Sequence, residues 1–462
     1  MATTEKRDND AMQEEVAGQH AQIGVAQAIT PETFQRTTHP DAQWYPQAGL
    51  GLFFHWGLSS VTGQADLSWG MMKRVPVSAE NNMKVHGLPA VQTGLTPNQY
   101  WAQAERFNPD KYDPNKWMAA AKRAGVQYAV LTTKHHDGFA MWPSEYGDFN
   151  TKNYMGGRDL VGEYVEACRA NGIKIGFYYS PPDWYYNRFH QSFGYGDMKP
   201  ALGLDHEPVE LPVLSAAEQA EWDAGFRAYL RGQIEELLTR YGKIDILWFD
   251  GRCYDAISFD RIRELQPGIL VNPRGHGYGD FATPECSFPK KRFSGWWELC
   301  YVFSDGAWGY LDHETYKPIG WLLSEFVKTR SWDGNFLPNV GPDPHGELPD
   351  AFYKRMEQME EWMAHSGESV VGTTAGPWPD RSNVAVTCKD TAWYAHVDWI
   401  FDGTVEITGV DAPESVTMLR TGDALSYEYT AGVLKFAIPQ ALRTNRCDVV
   451  KIVWAQAQNT DV

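Results

Sequence analysis

The chain has 462 residues, which at ~150 residues per domain suggests three domains, or two if one is a (β/α)8 barrel of ~250 residues or more. With 43% hydrophobic and 22% charged residues, and no apolar run near the ~18 residues that a membrane span requires, it reads as a soluble globular chain without a membrane partner. The 41 Lys and Arg against 59 Asp and Glu leave a net charge of −18, which repels phosphate backbones and argues against nucleic acid as a partner.

Residues 1–30 are polar and Gln/Glu/Ala-rich, the composition of a partly helical lead-in without a core of its own. They show no basic stretch followed by an apolar one, and the six Cys form no CxxC pair. A cytoplasmic protein with reduced, buried thiols is therefore expected. Across 31–368, short apolar runs alternate with amphipathic stretches. The runs Gly49 to Phe54, Tyr128 to Thr132, Ile173 to Tyr179, Ile244 to Phe249 and Ile269 to Asn272 are those of buried parallel strands. Between them, Pro114 to Ala124, Asp159 to Asn171 and Ala216 to Tyr241 each stop near a glycine: Gly125, Gly172 and Gly242.

Repetition of strand, helix and glycine in one direction predicts a closed (β/α)8-like barrel, with further strands near 294–299 and 334–340 and an eighth assumed. The alternative, a doubly wound open sheet, needs a glycine-rich phosphate turn after its first strand, and His55-Trp-Gly is not one. Over 369–462 the texture changes. Asn383 to Thr387, Ala392 to Val397, Thr404 to Thr408, Ser415 to Arg420, Val433 to Ile438 and Val449 to Trp454 alternate without helices, which predicts an antiparallel β-sandwich.

Barrel chemistry comes from the C-terminal ends of strands. Here these read His55-Trp-Gly, Lys134-His135-His136-Asp137, Tyr178-Tyr-Ser and Trp248-Phe-Asp250. Asp250 follows an apolar run two residues after Trp248, as a nucleophile or base at the rim would, or as a loop cap would. His135 and His136 are adjacent, so on a strand they point to opposite faces. That spacing suits hydrogen bonds to a polyhydroxylated ligand better than a metal, and no metal is expected. Glycoside hydrolysis needs a second carboxylate, for which Asp280, Glu285 and Glu298 are candidates, with Arg274 as a nearby cation. The aromatic content, 14% with 19 Trp, fits a sugar site and core packing alike.

These segments, together with Phe107-Asn-Pro109, Arg158-Asp-Leu160, Ser304 to Tyr310 and Asn339-Val-Gly-Pro342, resemble the α-L-fucosidases of glycoside hydrolase family 29 over most of 44–365. Thr133-Lys-His-His-Asp-Gly-Phe139 is the most specific of them. The resemblance implies a barrel followed by a β-sandwich, and retaining hydrolysis of terminal α-L-fucosides in oligosaccharides or glycoconjugates. It gives Asp250 as nucleophile and Glu285 as acid/base, with Glu298 as the rival. His55, His135, His136, Tyr178, Trp248, Arg274 and Trp308 become sugar contacts, and no cofactor is implied.

Two departures stand out. Gln99-Tyr-Trp-Ala-Gln103 has no carboxylate where some members place a sugar-binding Glu, and Pro338 is expected to mark a strand-edge change. Family members are often exported, whereas this N-terminus shows no leader. For the acid role, Glu285 is expected to have a raised pKa, from the charge of Asp250 and aromatic surroundings. The alternatives are a noncatalytic, lectin-like fucose binder and a hydrolase of a related α-L-sugar. Linkage preference is assigned to the loops at 182–215 and 276–293, and a homo-oligomer stays open.

Overall fold

The computed structural model describes residues 13–26, 36–74 and 95–460. Seven parallel strands form one sheet: β1 (Gly51–Phe54), β2 (Tyr128–Lys134), β3 (Lys174–Tyr179), β4 (Ile246–Phe249), β5 (Leu270–Val271), β6 (Glu298–Val302) and β7 (Asn335–Val340). Their order, β5-β4-β3-β2-β1-β7-β6, is that of a barrel unrolled at one seam. No described eighth strand fills that seam. Instead the segment around 280–286 crosses it, with Asp280 N–H donating to the Val271 carbonyl at 2.7 Å and single parallel bridges joining Ala282 to Trp297 and Glu285 to Cys300.

The strands are buried on both faces because helices cover the outside, as all-parallel sheets require. Alternation then sorts side chains. Phe53, Tyr178, Trp248 and Cys300 join a cluster inside the barrel, whereas Phe54, Tyr179 and Phe249 pack outward into the main core. The helices Pro114–Arg123, Leu160–Ala170 and Ala216–Arg240 start at Asp113, Asp159 and Ser215, whose side chains accept from backbone N–H groups three residues on. They stop at Gly125, Gly172 and Gly242, with φ of 91°, 61° and 66°, the left-handed conformation that a glycine adopts without steric cost.

Pro338 does not lie at a sheet edge. Strand β7 runs between β1 and β6, and Pro338 pairs with Tyr301 of β6. Having no N–H, it interrupts the other ladder instead: β1 meets β7 at Leu50–Phe336, and again only from Phe53–Asn339.

The C-terminal region forms two antiparallel sheets facing each other across an apolar core that includes Val386, Trp393, Ile407, Leu434 and Ile452. One has five strands: β8 (Thr374–Ala375), β9 (Ala385–Lys389), β10 (Ala392–Val397), β12 (Ser415–Met418) and β15 (Asp448–Val453). The other has three: β11 (Val405–Thr408), β13 (Tyr427–Thr430) and β14 (Val433–Phe436). All six cysteines are free and buried. Among the described residues no helix is long and apolar enough to cross a membrane.

The lead-in follows the helical rather than the frayed half of its expectation and borrows the core of the barrel. Residues 13–22 are helical, and Ile23 is buried in the main core rather than frayed into solvent. The expectation for 1–12 and 27–30 lies outside the described residues.

Candidate active site

At the C-terminal ends of the strands lies a cavity with about 390 Å³ of empty space, part of it open to solvent. Strand β4 delivers Asp250 to it. The Asp250 N–H donates to the Tyr179 carbonyl at 3.1 Å, so the backbone stays in sheet register one residue beyond the strand. Its carboxylate accepts from Tyr178 Oη at 2.8 Å and from Arg274 Nη1 at 2.9 Å. Glu285, on the segment that crosses the seam, accepts from Arg274 Nη2 at 2.7 Å. One guanidinium therefore grips both carboxylates.

Arg274 is itself fixed. It is 4% exposed, its guanidinium lies 4.4 Å from the centre of a Trp248 ring, and Nε donates to Thr283 Oγ1 at 3.1 Å. Burial opposes its charge, but Glu285 and Asp250 outweigh burial and keep it protonated.

The expectation of a raised Glu285 pKa is overturned. Burial pushes the carboxyl up, as anticipated. Arg274, and His20 with its Nε2 at 3.1 Å, together pull it down to about 2, so Glu285 is ionised. The expectation weighed Asp250 as an uncompensated neighbour, whereas the shared guanidinium neutralises it.

His55, His135 and Tyr178 line the cavity, as do Trp248, Trp308 and Phe53. His55 Nδ1 lies 2.6 Å from Asn339 Oδ1, while Asn339 Nδ2 donates to the Trp308 carbonyl. The amide oxygen must therefore accept, which leaves the His55 Nε2 lone pair free for a ligand hydroxyl. Burial, partly offset by the Asn339 bond, lowers the His55 pKa to about 4. Burial and neighbouring rings hold His135 and His136 well below the usual range. The imidazole wall is uncharged at neutral pH, which suits a neutral polyhydroxylated ligand.

His136 is the one predicted contact that does not line the cavity. Fully buried behind the wall, it donates from Nδ1 to Ser180 Oγ at 2.6 Å, because that hydroxyl's own proton goes to the Pro182 carbonyl. Its Nε2 has no hydrogen-bond partner and sits 3.7 Å from Asp250 Oδ2. The opposite-faces argument fails for this pair because β2 ends at Lys134, so both histidines lie on the turn beyond it, with ring centres 4.0 Å apart. Atoms of His135, His136 and Asp250 lie within 4.8 Å of one another, close enough to contact a common ion.

Glu298 is placed away from the cavity. It is buried inside the barrel, accepting from Tyr128 at 2.7 Å, Tyr45 at 3.0 Å and Trp248 Nε1 at 2.7 Å. Asp280 is also buried, receiving the N–H groups of Thr37 and Val271 and the Arg263 guanidinium, each at 2.8 Å. Tyr100 and Trp101, in the segment without a carboxylate, bond to Asp137 behind the site.

Sequence reasoning missed Gln19, His20, Ile23, Leu67 and Trp69, all of which line the cavity. It also missed Asp66, which accepts from the N–H groups of Trp308 and Gly309 at 3.0 Å each and so holds the Trp308 loop in place. The signal for 65–72 was its apolar and aromatic density, Ala-Asp-Leu-Ser-Trp-Gly-Met-Met, which is unusual for a plain loop.

Comparison with known proteins adds identity to this geometry. The profile of the family described as Alpha-L-fucosidase matches residues 17–368. The chain is 28% identical over 421 residues to the tissue alpha-L-fucosidase of Rattus norvegicus, covering 84% of each chain. It superposes on alpha-L-fucosidase isoenzyme 1 from Paenibacillus thiaminolyticus with a TM-score of 0.71 and 30% identity, over 90% of this chain and 98% of the other. Against the alpha-fucosidase of Thermotoga maritima the values are 0.68 and 26%, over 92% and 100%.

Proposed function

The chain belongs to the alpha-L-fucosidase family, and on that premise we propose that it is a retaining exo-α-L-fucosidase with Asp250 as nucleophile and Glu285 as acid/base. The observation that carries these roles is the single guanidinium of Arg274 bonded at once to Asp250 and Glu285. Two carboxylates held by one side chain in one cavity are the pair that a double-displacement mechanism uses. Asp280 and Glu298 have spent their acceptor capacity on structural donors.

Asp250 attacks the anomeric carbon while the proton on Glu285 passes to the leaving oxygen, giving a fucosyl ester. Water that loses its proton to Glu285 then cleaves that ester with net retention. The ionised Glu285 of the free site is already the base of the second step, and esterifying Asp250 leaves Arg274 to Glu285 alone. The first step needs the acid form. Of the influences on Glu285, burial is the largest and raises its pKa, whereas Arg274 and His20 lower it. A substrate that separates the carboxylate from those two donors lets burial prevail, so occupancy switches Glu285 from base to acid.

Tyr178 stays a hydrogen-bond donor, since burial and the charge of Asp250 push its phenol well above the usual range. The imidazoles of His55 and His135 offer uncharged partners to sugar hydroxyls. Trp248, Trp308 and Leu67 supply apolar surface for the C5 methyl group, the feature that separates fucose from a C6-hydroxylated α-L-sugar. No step in this route calls on a cofactor.

The test is hydrolysis of p-nitrophenyl α-L-fucoside by wild type, Asp250→Ala and Glu285→Ala, with and without azide. Both variants are expected to lose several orders of magnitude in rate; azide is expected to restore Glu285→Ala with α-fucosyl azide as product, by attack on the ester at Asp250, and Asp250→Ala with β-fucosyl azide, by direct displacement. Full activity in Asp250→Ala overturns the mechanism, and a wild type that binds fucose without cleaving the fucoside points to a lectin-like protein.

A further inference from the structure

The helix at 13–22 is seated on the mouth of the active site, and its fastenings are specific. Glu15 pairs with Arg74 at 2.7 Å, and Gln13 Nε2 donates to Ser287 Oγ at 3.3 Å, two residues beyond Glu285. Behind the helix the chain is tied to the catalytic loops themselves. Ala26 N–H donates to the Arg274 carbonyl at 2.9 Å, and the Ile23 carbonyl accepts from Arg252 N–H at 3.3 Å. Gly251, the residue after Asp250, makes that approach possible: a Cβ there would meet the Ile23 carbonyl oxygen at 2.9 Å and Pro182 Cγ at 2.4 Å.

From this platform Gln19, His20 and Ile23 line the cavity, and His20 Nε2 lies 3.1 Å from Glu285 Oε2. The His20 side chain is 28% exposed, against 8% for Glu285 and 13% for Asp250, so it stands between the carboxylates and solvent. A fucosyl ring held by Asp250 and the imidazole wall must direct its glycosidic oxygen to Glu285, and therefore towards His20.

We propose that His20 is a positioning residue for Glu285, and that the N-terminal helix carrying it forms the leaving-group side of the active site. The inference rests on the assignment of Glu285 as acid/base. His20 holds the carboxylate in place in the free enzyme and yields it to the glycosidic oxygen of the substrate.

The charged and titratable groups that face Glu285 are Arg274 on the β5 side, His20 on the helix, and Cys286 and Cys300 along β6. Asp250, Tyr178 and His55 stand across the cavity. Of these only His20 is reached from the helix, so replacing it leaves the other influences in position. Because His20 lowers the Glu285 pKa, its loss raises that pKa, and the proton-bearing acid form persists to higher pH.

The experiment compares wild type, His20→Ala, His20→Gln and Glu15→Ala in kcat/KM against pH. The substrates are a fucosyl disaccharide, whose leaving group needs protonation, and α-L-fucosyl fluoride, whose leaving group needs little. For the disaccharide the basic limb of His20→Ala is expected to move up by about one pH unit, and kcat at the acid plateau to fall by about tenfold. His20→Gln, which keeps an N–H donor able to reach the carboxylate, should recover much of the kcat. Glu15→Ala, which loosens the helix without touching the cavity, should move the limb the same way by less. Fluoride turnover should stay within about twofold throughout.

A basic limb unmoved in His20→Ala, or equal losses on both substrates, overturns the proposal. If Glu285→Ala is inactive towards the aryl fucoside while His20→Ala is unchanged, the role of His20 alone is lost. If Glu285→Ala is fully active, the acid/base assignment beneath it is lost as well.

Discussion

Arg274 is the cation on which both carboxylates depend, and the way it is shared sets how the site responds to acid. With a folded pKa of about 2 against the ordinary 4.5, Glu285 binds a proton more weakly in the folded protein than in the unfolded chain. It therefore contributes stability that is fully present above about pH 4.5 and is lost as pH falls towards 2. Urea denaturation of wild type and Glu285→Gln at stepped pH should show a difference of roughly 3 kcal/mol near neutrality that shrinks through that window. A difference that stays constant from pH 6 to pH 2.5 would mean that the Arg274 and His20 bonds do not hold the carboxylate ionised.

Which site residues were legible follows from how they are presented. Asp250, Tyr178 and His55 sit at strand ends, where an apolar run stopping at a polar residue marks the position in the local sequence. His20 has no such mark, because its helix is polar along most of its length and its partner lies 265 positions away. Glu285 stands apart from Asp280 and Glu298 in the sequence only through the family resemblance, and its ionisation is not legible there at all, since no local signal reveals that one guanidinium serves two carboxylates.

At the level of elements, the seam between β5 and β6 carries the most consequence, because the segment that fills it also presents Glu285. That segment lacks strand pairing on the β5 side and is held there largely by Asp280, which collects the N–H groups of Thr37 and Val271 and the guanidinium of Arg263. Removing the carboxylate leaves three donors without their acceptor, two of them on the backbone. Asp280→Ala is expected to cost about 3 kcal/mol, and to raise the KM for the aryl fucoside as the Glu285 segment loosens. Thermal unfolding and steady-state kinetics of that variant check it, and an unchanged melting temperature would show that the seam is held elsewhere.

The same seam explains the eighth strand that the barrel pattern called for. Residues 280–286 read Asp-Phe-Ala-Thr-Pro-Glu-Cys, too polar and too interrupted by proline to pair continuously, so they span the gap on isolated bridges. Strands buried on both faces, β1 to β4 above all, announced themselves as apolar runs. The strand β13, Tyr427–Thr430, did not: every residue in it is exposed, and with no buried face there is no hydrophobic alternation to read.

On the scale of the whole molecule, the sandwich has its own core between its sheets but also adds side chains to the barrel's. Ala385, Tyr394, Cys447 and Val449 belong to the same hydrophobic cluster as the barrel helices. Trp362 Nε1 donates to the Cys447 carbonyl at 2.7 Å, and Trp332 Nε1 to the Trp378 carbonyl at 2.9 Å. These are buried contacts made by large side chains. The ion pairs across the boundary, Lys451 with Glu368 and Arg446 with Glu361, are partly exposed and add little by comparison. Among the described residues, none from the sandwich lines the catalytic cavity.

The sandwich therefore covers the apolar back of the helix Asp350–Ser366 and its neighbour Ile319–Arg330 rather than touching substrate. Stopping the chain at residue 369 uncovers Trp362, which is fully buried in the intact protein and donates to the Cys447 carbonyl, and the helix face around it. An uncovered patch of that kind promotes association. The truncated chain is expected to be recovered aggregated, whereas the full chain should melt in one calorimetric transition, because the barrel's core includes side chains of the sandwich. Two resolved transitions, or a soluble and active 1–369 fragment, would show instead that the barrel closes its own core and that the sandwich serves some purpose other than cover.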